Sequence, residues 1–363
     1  MTGARKYEHI KICLEREVES RGESGFGEIA LVHESLPDLD LSEVDASYEL
    51  FGRRVKAPII IEPITGGAEE AVEINRRLAE AAEECRIALS VGSQRAALEK
   101  PRLEHTYRIV RDAAPNTVVL ANIGCAQLLQ GDPVEIAEKA VDMIEADGLT
   151  IHLNPLQEAI QPEGDTSLRG IYRSIGRLIE ELKVPVIVKE TGAGISAETA
   201  LKLEHYGVRI VDVAGLGGTS WAGVEYYRAL SAGDSLRSHL GKSFWNWGIP
   251  TAISLIEVLE FTSMEAIASG GIRSGIDLAK AIALGAEAGG AALPFLKAAV
   301  KSKDSISNYI KTMIQELRLA MFLTGSKDIG DLKSKPLIIM GRTADWLSRR
   351  GVDLNKYARK GLK

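Results

Sequence analysis

The chain is short of cysteine, of positive charge and of long apolar runs, and each shortage closes off a class of protein. Among its 363 residues are three cysteines, Cys13, Cys85 and Cys125. The odd count, at spacings with no metal-ligand pattern, argues against a disulfide framework or a zinc site. All three are expected as reduced small hydrophobes rather than thiol nucleophiles. No uncharged window of 18 apolar residues occurs, so a helical membrane span is excluded. The opening residues Met1 to His9 lack the apolar core of a secretory signal, and the expected location is cytoplasmic. Lys plus Arg number 44 against 50 Asp plus Glu, a net charge of −6. Nucleic-acid binding depends on a positive field that displaces counterions, and none is expected here. An anionic small ligand remains possible, but its positive surroundings must be local.

What is present is an ordinary core. Hydrophobic residues make up 45% and charged residues 26%, the balance of a folded globular chain. Length alone suggests two domains, yet α/β barrels often exceed 250 residues as one. The periodicity favours the barrel. Eight β-branched apolar runs alternate with amphipathic helical stretches, beginning near Ala57, Ile87, Thr117, Gly148, Val184, Arg209, Met264 and Ala288. Such alternation implies right-handed βαβ units and a parallel sheet. The expected architecture is a (β/α)8 TIM barrel over residues 57–325, with an N-terminal extension (1–56) and a C-terminal extension (326–363) in one domain, 1–363. A single helix is expected over 295–322, and 342–363 is expected as a solvated helix and tail. The stretch 215–250, between the sixth strand and the next helix, holds three of the four tryptophans; connections of that length are usually lids or site walls.

Active sites of this fold lie at the C-terminal ends of the strands, and unusual residues gather there. Thr65-Gly-Gly follows strand 1 and Ser93-Gln-Arg strand 2. Asn122 ends strand 3, His152 and Asn154 end strand 4, and Lys189-Glu-Thr-Gly ends strand 5. Gly215-Leu-Gly-Gly-Thr-Ser-Trp follows strand 6, Gly270-Gly-Ile-Arg-Ser-Gly strand 7 and Ala291-Ala-Leu-Pro strand 8. The glycine run at 270 joins a strand to a helix, so its amides and the helix start form an anion site, where strands 7 and 8 commonly hold phosphate; alone it could be a plain turn. Lys189 and Asn122 close apolar strands, and either could reach solvent instead of a ligand. His152 and Asn154 are two apart, hence on one strand face, and Pro155 stops the strand. Gln157 and Glu158 then lie in a loop over the mouth. A lone His is more often a core residue than a catalyst, but four polar groups within seven residues serve no packing purpose. Arg5 and Lys6 read, by position, as a solvated basic end. Trp245 and Trp247 read as lid or core, and Trp221 as the wall of an apolar ligand.

Taken together, Arg5-Lys-Tyr-Glu-His, Ile64-Thr-Gly-Gly, Gly92-Ser-Gln-Arg, His152-Leu-Asn-Pro-Leu-Gln-Glu, Lys189-Glu-Thr-Gly-Ala-Gly-Ile-Ser, Gly217-Gly-Thr-Ser-Trp, Trp247-Gly-Ile-Pro-Thr and Ser269-Gly-Gly-Ile-Arg-Ser-Gly resemble the type 2 isopentenyl diphosphate isomerases. The resemblance spans nearly the whole chain; the 270 motif is general to FMN barrels, the 152–158 stretch and Arg5-Lys6 nearly private to this family. It implies FMN, kept reduced by NADPH, together with Mg²⁺, and a cytoplasmic homo-oligomer, a tetramer or octamer, that turns isopentenyl diphosphate into dimethylallyl diphosphate. Carried over, the flavin contacts fall on Pro63, Ile64, Thr65, Ser93, Asn122, Lys189, Thr219, Gly271, Ile272, Arg273, Ala292 and Leu293. Substrate contacts fall on Arg5, Lys6, Gln94, Arg95, His152, Asn154 and Gln157, with Glu158 as the Mg²⁺ ligand. Gln157, His152 and Lys189 are the catalytic candidates, Lys189 at the N1/O2 edge of the flavin. Ile64 stands where the family usually has Met, Pro63 where it often has Gly, and Ala214 where Ser is common.

Two other classes compete. An FMN-dependent dehydrogenase or oxidase needs a base beside the flavin, often His within His-Gly-x-Arg, or a Cys after strand 6. No histidine of this chain is followed by glycine, and 215–250 contains no cysteine. A non-catalytic phosphate- or flavin-binding module would have no use for the polar cluster at 152–158.

Overall fold

In the computed structural model, which describes residues 2–362 and side chains from Lys6 onward, eight strands close a parallel barrel. They are β1 (Ile59–Ile61), β2 (Ala88–Ser90), β3 (Val119–Gly124), β4 (Gly148–His152), β5 (Val186–Lys189), β6 (Ile210–Asp212), β7 (Glu265–Ser269) and β8 (Ala288–Ala291). Each pairs with the next, and β8 returns to β1 through Gly290↔Ile60. With helices covering the outside, both faces of a strand are buried. This explains β-branched runs such as the three buried isoleucines of β1.

A two-residue period sorts these strands. Outward residues, among them Ile59, Leu89, Ala121, Val188 and Ala266, join the core shared with the helices. Inward residues Ile60, Ala88, Leu120, Ile187, Ile267 and Ala288 form a second apolar cluster with Leu50 and Val55. Those two belong to the hairpin Tyr48–Leu50/Arg53–Val55, which closes the barrel floor. Two residues further on the same inward face come Glu62, Ser90, Asn122, Lys189, Asp212 and Ser269, all buried. The barrel therefore turns from apolar to polar at the strand ends, one layer above its own core.

The stretch 215–250, expected as a lid or site wall, carries two helices of its own, Trp221–Ser231 and Ser235–Ser243, capped by Ser220 and Asp234. Three expectations are corrected. The helix expected over 295–322 is two, Leu293–Ala299 and Lys303–Leu323, because Ser302 caps the second by accepting from Ser305 N. Pro155 does not lead into a loop: it is the first residue of the helix Pro155–Ile160, where proline's missing N–H costs nothing. The C-terminal segment is solvated on one face only. Leu337–Ile339 pairs antiparallel with Ile29–Leu31, and Leu347 and Tyr357 are buried. Among the described residues no helix is long and apolar enough to cross a membrane.

Glu257 ties this C-terminal segment down. It is 1% exposed, with one oxygen accepting from Trp346 Nε1 at 2.9 Å and Arg350 Nε at 3.0 Å, and the other from Ala197 N at 3.0 Å. Glu257→Ala strands an amide and an indole N–H and should cost about 3 kcal/mol. The expected readout is a lowered melting temperature, with a smaller loss in Glu257→Gln. Equal melting temperatures for wild type and Glu257→Ala would show that the tether contributes nothing.

Candidate active site

The polar layer floors a cavity at the barrel mouth. Strand ends from all sides line it, and the N-terminal helix Thr2–Glu15 brings Lys6 and His9 to its rim. Of the sequence candidates, Lys6, Pro63, Ile64, Thr65, Ser93, Arg95, Asn122, His152, Asn154, Gln157, Glu158, Lys189, Thr219, Gly271, Arg273, Ala292 and Leu293 all line it. Arg5 has a side chain outside the described residues. Two candidates are placed elsewhere. Gln94 is wholly buried, its amide donating to Ala140 O and accepting from Asn122 N, so it backs the strands instead of meeting a substrate. Ile272 points its side chain into the core, which leaves only its backbone for a ligand.

Strand register sets the floor. Lys189 sits between His152 on β4 and Asp212 on β6. Its Nζ lies 2.6 Å from Asp212 Oδ2, 2.7 Å from Ser269 Oγ and 3.0 Å from Glu62 Oε2. Burial works against the ammonium, but Asp212 and Glu62 outweigh it and hold the Lys189 pKa above its ordinary value. Burial, reinforced by Asp212, pushes the Glu62 carboxyl up to about 8. Two buried side-chain atoms find no partner within the described residues, Glu62 Oε1 and Thr65 Oγ1. Both residues line the cavity, and an unmade hydrogen bond in such a place is costly unless a ligand completes it.

The wall is amide-rich. His152 Nδ1 lies 2.8 Å from Asn122 Oδ1, while Asn122 Nδ2 donates to Val91 O. The Asn oxygen thus faces the ring, Nδ1 carries the hydrogen, and Nε2 is left as an acceptor. Burial, then the ammonium groups of Lys6 and Lys189, push the His152 pKa down to about 4. Asn154 Nδ2 donates to Glu158 Oε1 at 3.0 Å, and the other Glu158 oxygen accepts from Asp165 N at 2.6 Å. Gln157 Nε2 donates to Glu225 Oε1 at 3.0 Å. That carboxylate also meets His9 Nε2 at 3.0 Å and Arg228 Nη1 at 2.7 Å. Burial alone would raise the Glu225 pKa, but His9 and Arg228 outweigh it and hold the group ionised.

At the opposite side Gly270 and Gly271 take φ of 93° and 88°. A Cβ on Gly271 would stand 2.7 Å from Gly217 O, so the turn admits glycine alone and leaves its backbone open to a ligand. Arg273 turns to Glu19, 3.0 Å from Nε, and its own amide, with that of Ser274, donates to Asp277 Oδ2. Lys6 Nζ donates to Tyr107 Oη at 2.7 Å, and Arg95 pairs with Glu99 at 2.7 Å. Trp221 lines the cavity, whereas Trp247 is exposed and Trp245 donates its indole N–H to Glu19 O. The three cysteines are buried and unpaired; burial raises Cys13 and Cys125 to about 12 and about 11, and no cysteine is in the lining.

Sequence reading overlooked Glu62, Asp212, His9, Glu225 and Glu19. The rule that selected Lys189, a charge closing an apolar strand, applies equally to Glu62 after Ile59–Ile61. Glu225 carried no signal until its stretch is known to be helical, four residues after Trp221.

The fold and its glycine-lined mouth define a barrel of the FMN-dependent dehydrogenase type: the family model of that description matches residues 152–339. Solved structures of mandelate oxidase share the architecture. One with a monooxide FMN adduct gives a TM-score of 0.63 at 16% identity, covering 91% of this chain and 95% of that one. Full-length relatives narrow the family. "Isopentenyl-diphosphate delta-isomerase" of Methanothermobacter thermautotrophicus is 49% identical over 99% of this chain and 100% of its own. Those of Methanosarcina barkeri, at 48% over 99% and 98%, and Pyrococcus furiosus, at 45% over 100% and 93%, bear the same name. The chain belongs to the isopentenyl-diphosphate delta-isomerase family.

The His152 assignment is testable without any ligand. In flavin- and substrate-free protein its ring resonances should titrate with a midpoint near pH 4, well below those of His105, which Glu69 raises. A His152 midpoint at or above pH 6 would contradict a neutral ring wedged between Asn122 and two ammonium groups.

Proposed function

We propose that the protein interconverts isopentenyl diphosphate and dimethylallyl diphosphate, using reduced FMN on the polar floor, Mg²⁺ at Glu158 and NADPH as the reductant. The observation that carries this reading is one cavity faced by the glycine turn at 270–271, the amide wall at 152–158 and the cations Lys6 and Arg95. Its support in the family is identity of 45–49% over nearly the full length. We also take residues 1–363 to work as one domain, since the N-terminal helix supplies part of the site and Ile29–Leu31 pairs with the C-terminal strand.

The floor suits a flavin. Thr65 Oγ1 and Glu62 Oε1 lack partners, and Gly271 permits close backbone approach. With the Arg273 and Ser274 amides already given to Asp277, the phosphate is left to Gly271, Ile272, Ala292 and Leu293. When bound in reduced form the flavin supplies an electron-rich face beside the alkene and a protonatable N5. Moving the double bond adds a proton at one carbon and removes one from the allylic carbon, through a cation-like state that water would quench. Trp221 and Ile64 wall the apolar part of the substrate. Lys6, Arg95 and Arg5 meet the diphosphate charge, a local positive field in an acidic protein. His152 and Asn154 orient the phosphates. Gln157 is no acid: its amide donates to Glu225 and accepts from Asn154, and it serves to position.

For the metal, no group of three or more His, Cys, Asp or Glu is gathered among the described residues. Glu158 stands in the cavity lining and fits an ion that takes one carboxylate and draws its other oxygens from diphosphate and water.

Because isomerisation has no net redox change, anaerobic assays with FMN should give many turnovers of dimethylallyl diphosphate per NADPH oxidised. One NADPH consumed per product would overturn the isomerase reading in favour of an oxidoreductase. Glu158→Gln keeps the shape and removes the charge. Its Mg²⁺ midpoint should rise by at least about tenfold, the loss seen even for groups that merely support a metal ligand, with FMN affinity intact. Identical Mg²⁺ midpoints would rule out the ligand role.

A further inference from the structure

One face of the helix that follows the fourth strand is polar throughout. Asn154 stands at the start of Pro155–Ile160, and Gln157, Glu158 and Gln161 follow it at the helical spacings that bring side chains to one face. Gln161 keeps this register because its N–H still donates to Gln157 O at 2.9 Å. All four residues line the cavity. We propose that Gln161 is a further substrate-binding residue, its carboxamide N–H donating to a phosphate oxygen of the diphosphate. The inference rests on the diphosphate reading of this cavity and adds a residue to it.

The first three members of this face are supplied with partners. Asn154 Nδ2 donates to Gln157 Oε1 at 3.3 Å and to Glu158 Oε1 at 3.0 Å, Gln157 Nε2 donates to Glu225, and Glu158 Oε2 accepts from Asp165 N. Gln161 is not supplied. It is 5% exposed, yet its side chain makes no hydrogen bond among the described residues. Nor is the group sealed in: the side-chain atoms that lack both a partner and access are Glu62 Oε1 and Thr65 Oγ1, so the Gln161 carboxamide opens onto the cavity it lines. A polar group held this way is costly until a ligand completes it. The loop behind fixes its backbone, with Gly164 N donating to Gln161 O at 3.2 Å and packed so close that a Cβ on Gly164 would stand 1.7 Å from Glu158 O. The ligand best served is an anion. Of the arginines in the lining, Arg95 pairs with Glu99 and Arg273 with Glu19, while a diphosphate brings several oxygens, each of which needs a donor when buried. A lysine at 161 would pair with Glu158 three residues away and draw it from a metal. A carboxamide donates to phosphate without doing so.

Calorimetric titration of inorganic pyrophosphate with Mg²⁺ into the FMN-loaded protein tests this without turnover. A hydrogen bond to a charged group is worth about tenfold or more in affinity, and Gln161→Leu should weaken pyrophosphate binding by that factor. FMN affinity should stay at the wild-type value and the melting temperature should not fall, as both would if Gln161 only held the loop. In turnover of isopentenyl diphosphate KM should rise while kcat stays within about threefold of wild type, the mark of a contact made equally before and at the transition state. Gln161→Glu replaces the N–H with a carboxylate and should bind pyrophosphate more weakly than Gln161→Leu. Pyrophosphate binding by Gln161→Leu within about twofold of wild type overturns the proposal. So does tighter binding by Gln161→Glu, which would show an oxygen turned to the metal instead of an N–H turned to phosphate. Wild-type protein that binds no pyrophosphate overturns the diphosphate reading and this proposal with it. Should Gln161→Leu fail to fold by circular dichroism, Gln161→Asn, which draws the same group back by one carbon, is judged by the same criterion.

Discussion

Everything at the mouth of this barrel depends on the two-residue alternation of its strands. Inside a closed eight-stranded barrel each inward side chain must fill space, and one layer down the chain does so with Ile60, Leu120, Ile187 and Ile267. The next inward position on each strand is the first not consumed by packing. Polar residues placed there share one dry layer, and isolated ions in such a place cost several kcal/mol each. Their charges are therefore not independent. The Lys189 ammonium is what allows Asp212 and Glu62 to be there at all, and Ser269 closes the circuit by accepting from Lys189 and donating to Asp212.

The walls are built by a different means. The N-terminal helix, the helix Pro155–Ile160 and the helix Trp221–Ser231 meet over the cavity, and a single buried carboxylate joins them: Glu225 takes His9 from the first, Gln157 from the second and Arg228 from its own helix. Glu19, just beyond the N-terminal helix, holds Arg273 on the far side of the mouth. The segment that delivers Lys6 is thus fastened at two points on opposite sides of the site. Neither Glu225 nor Glu19 lies in a strand, yet the two together fix the segment that carries Lys6.

Much of the floor was legible in the sequence because strand ends announce themselves: a β-branched run closes on Lys189, Asn122 or His152, and period two assigns the face. Where such a run hides its own exception the reading fails. Asp212 stands between Val211 and Val213, and Glu62 between Ile61 and Pro63, so neither stands out as a charge closing an apolar run. Gln94 was misplaced for a related reason. It adjoins Arg95, which lines the cavity, but a helix begins at Arg95, and the change of backbone direction sends neighbouring side chains to opposite sides. The tethers Glu225 and Glu19 depend on which helices meet in space. No local pattern carries that information.

The distant likeness to mandelate oxidase, at 16% identity and a TM-score of 0.63, extends to the barrel and says little of the wall. A floor of this kind asks only for a flat ligand with hydrogen-bonding edges and a phosphate tail, so it can sit beneath quite different reactions. What distinguishes one reaction from another is the chemistry facing the floor. Here that surface offers a neutral His152, the amides of Asn154 and Gln157, one carboxylate at Glu158 and the cations Lys6 and Arg95. None of these groups is a strong base against a hydroxy acid: the His152 pKa is pushed down to about 4, and Glu225 is paired three ways behind Gln157. The same groups are well suited to holding a multiply charged head group and keeping water from an apolar tail. What fits this barrel to such a ligand is therefore assembled on the helices above the strands more than on the strands that hold the floor.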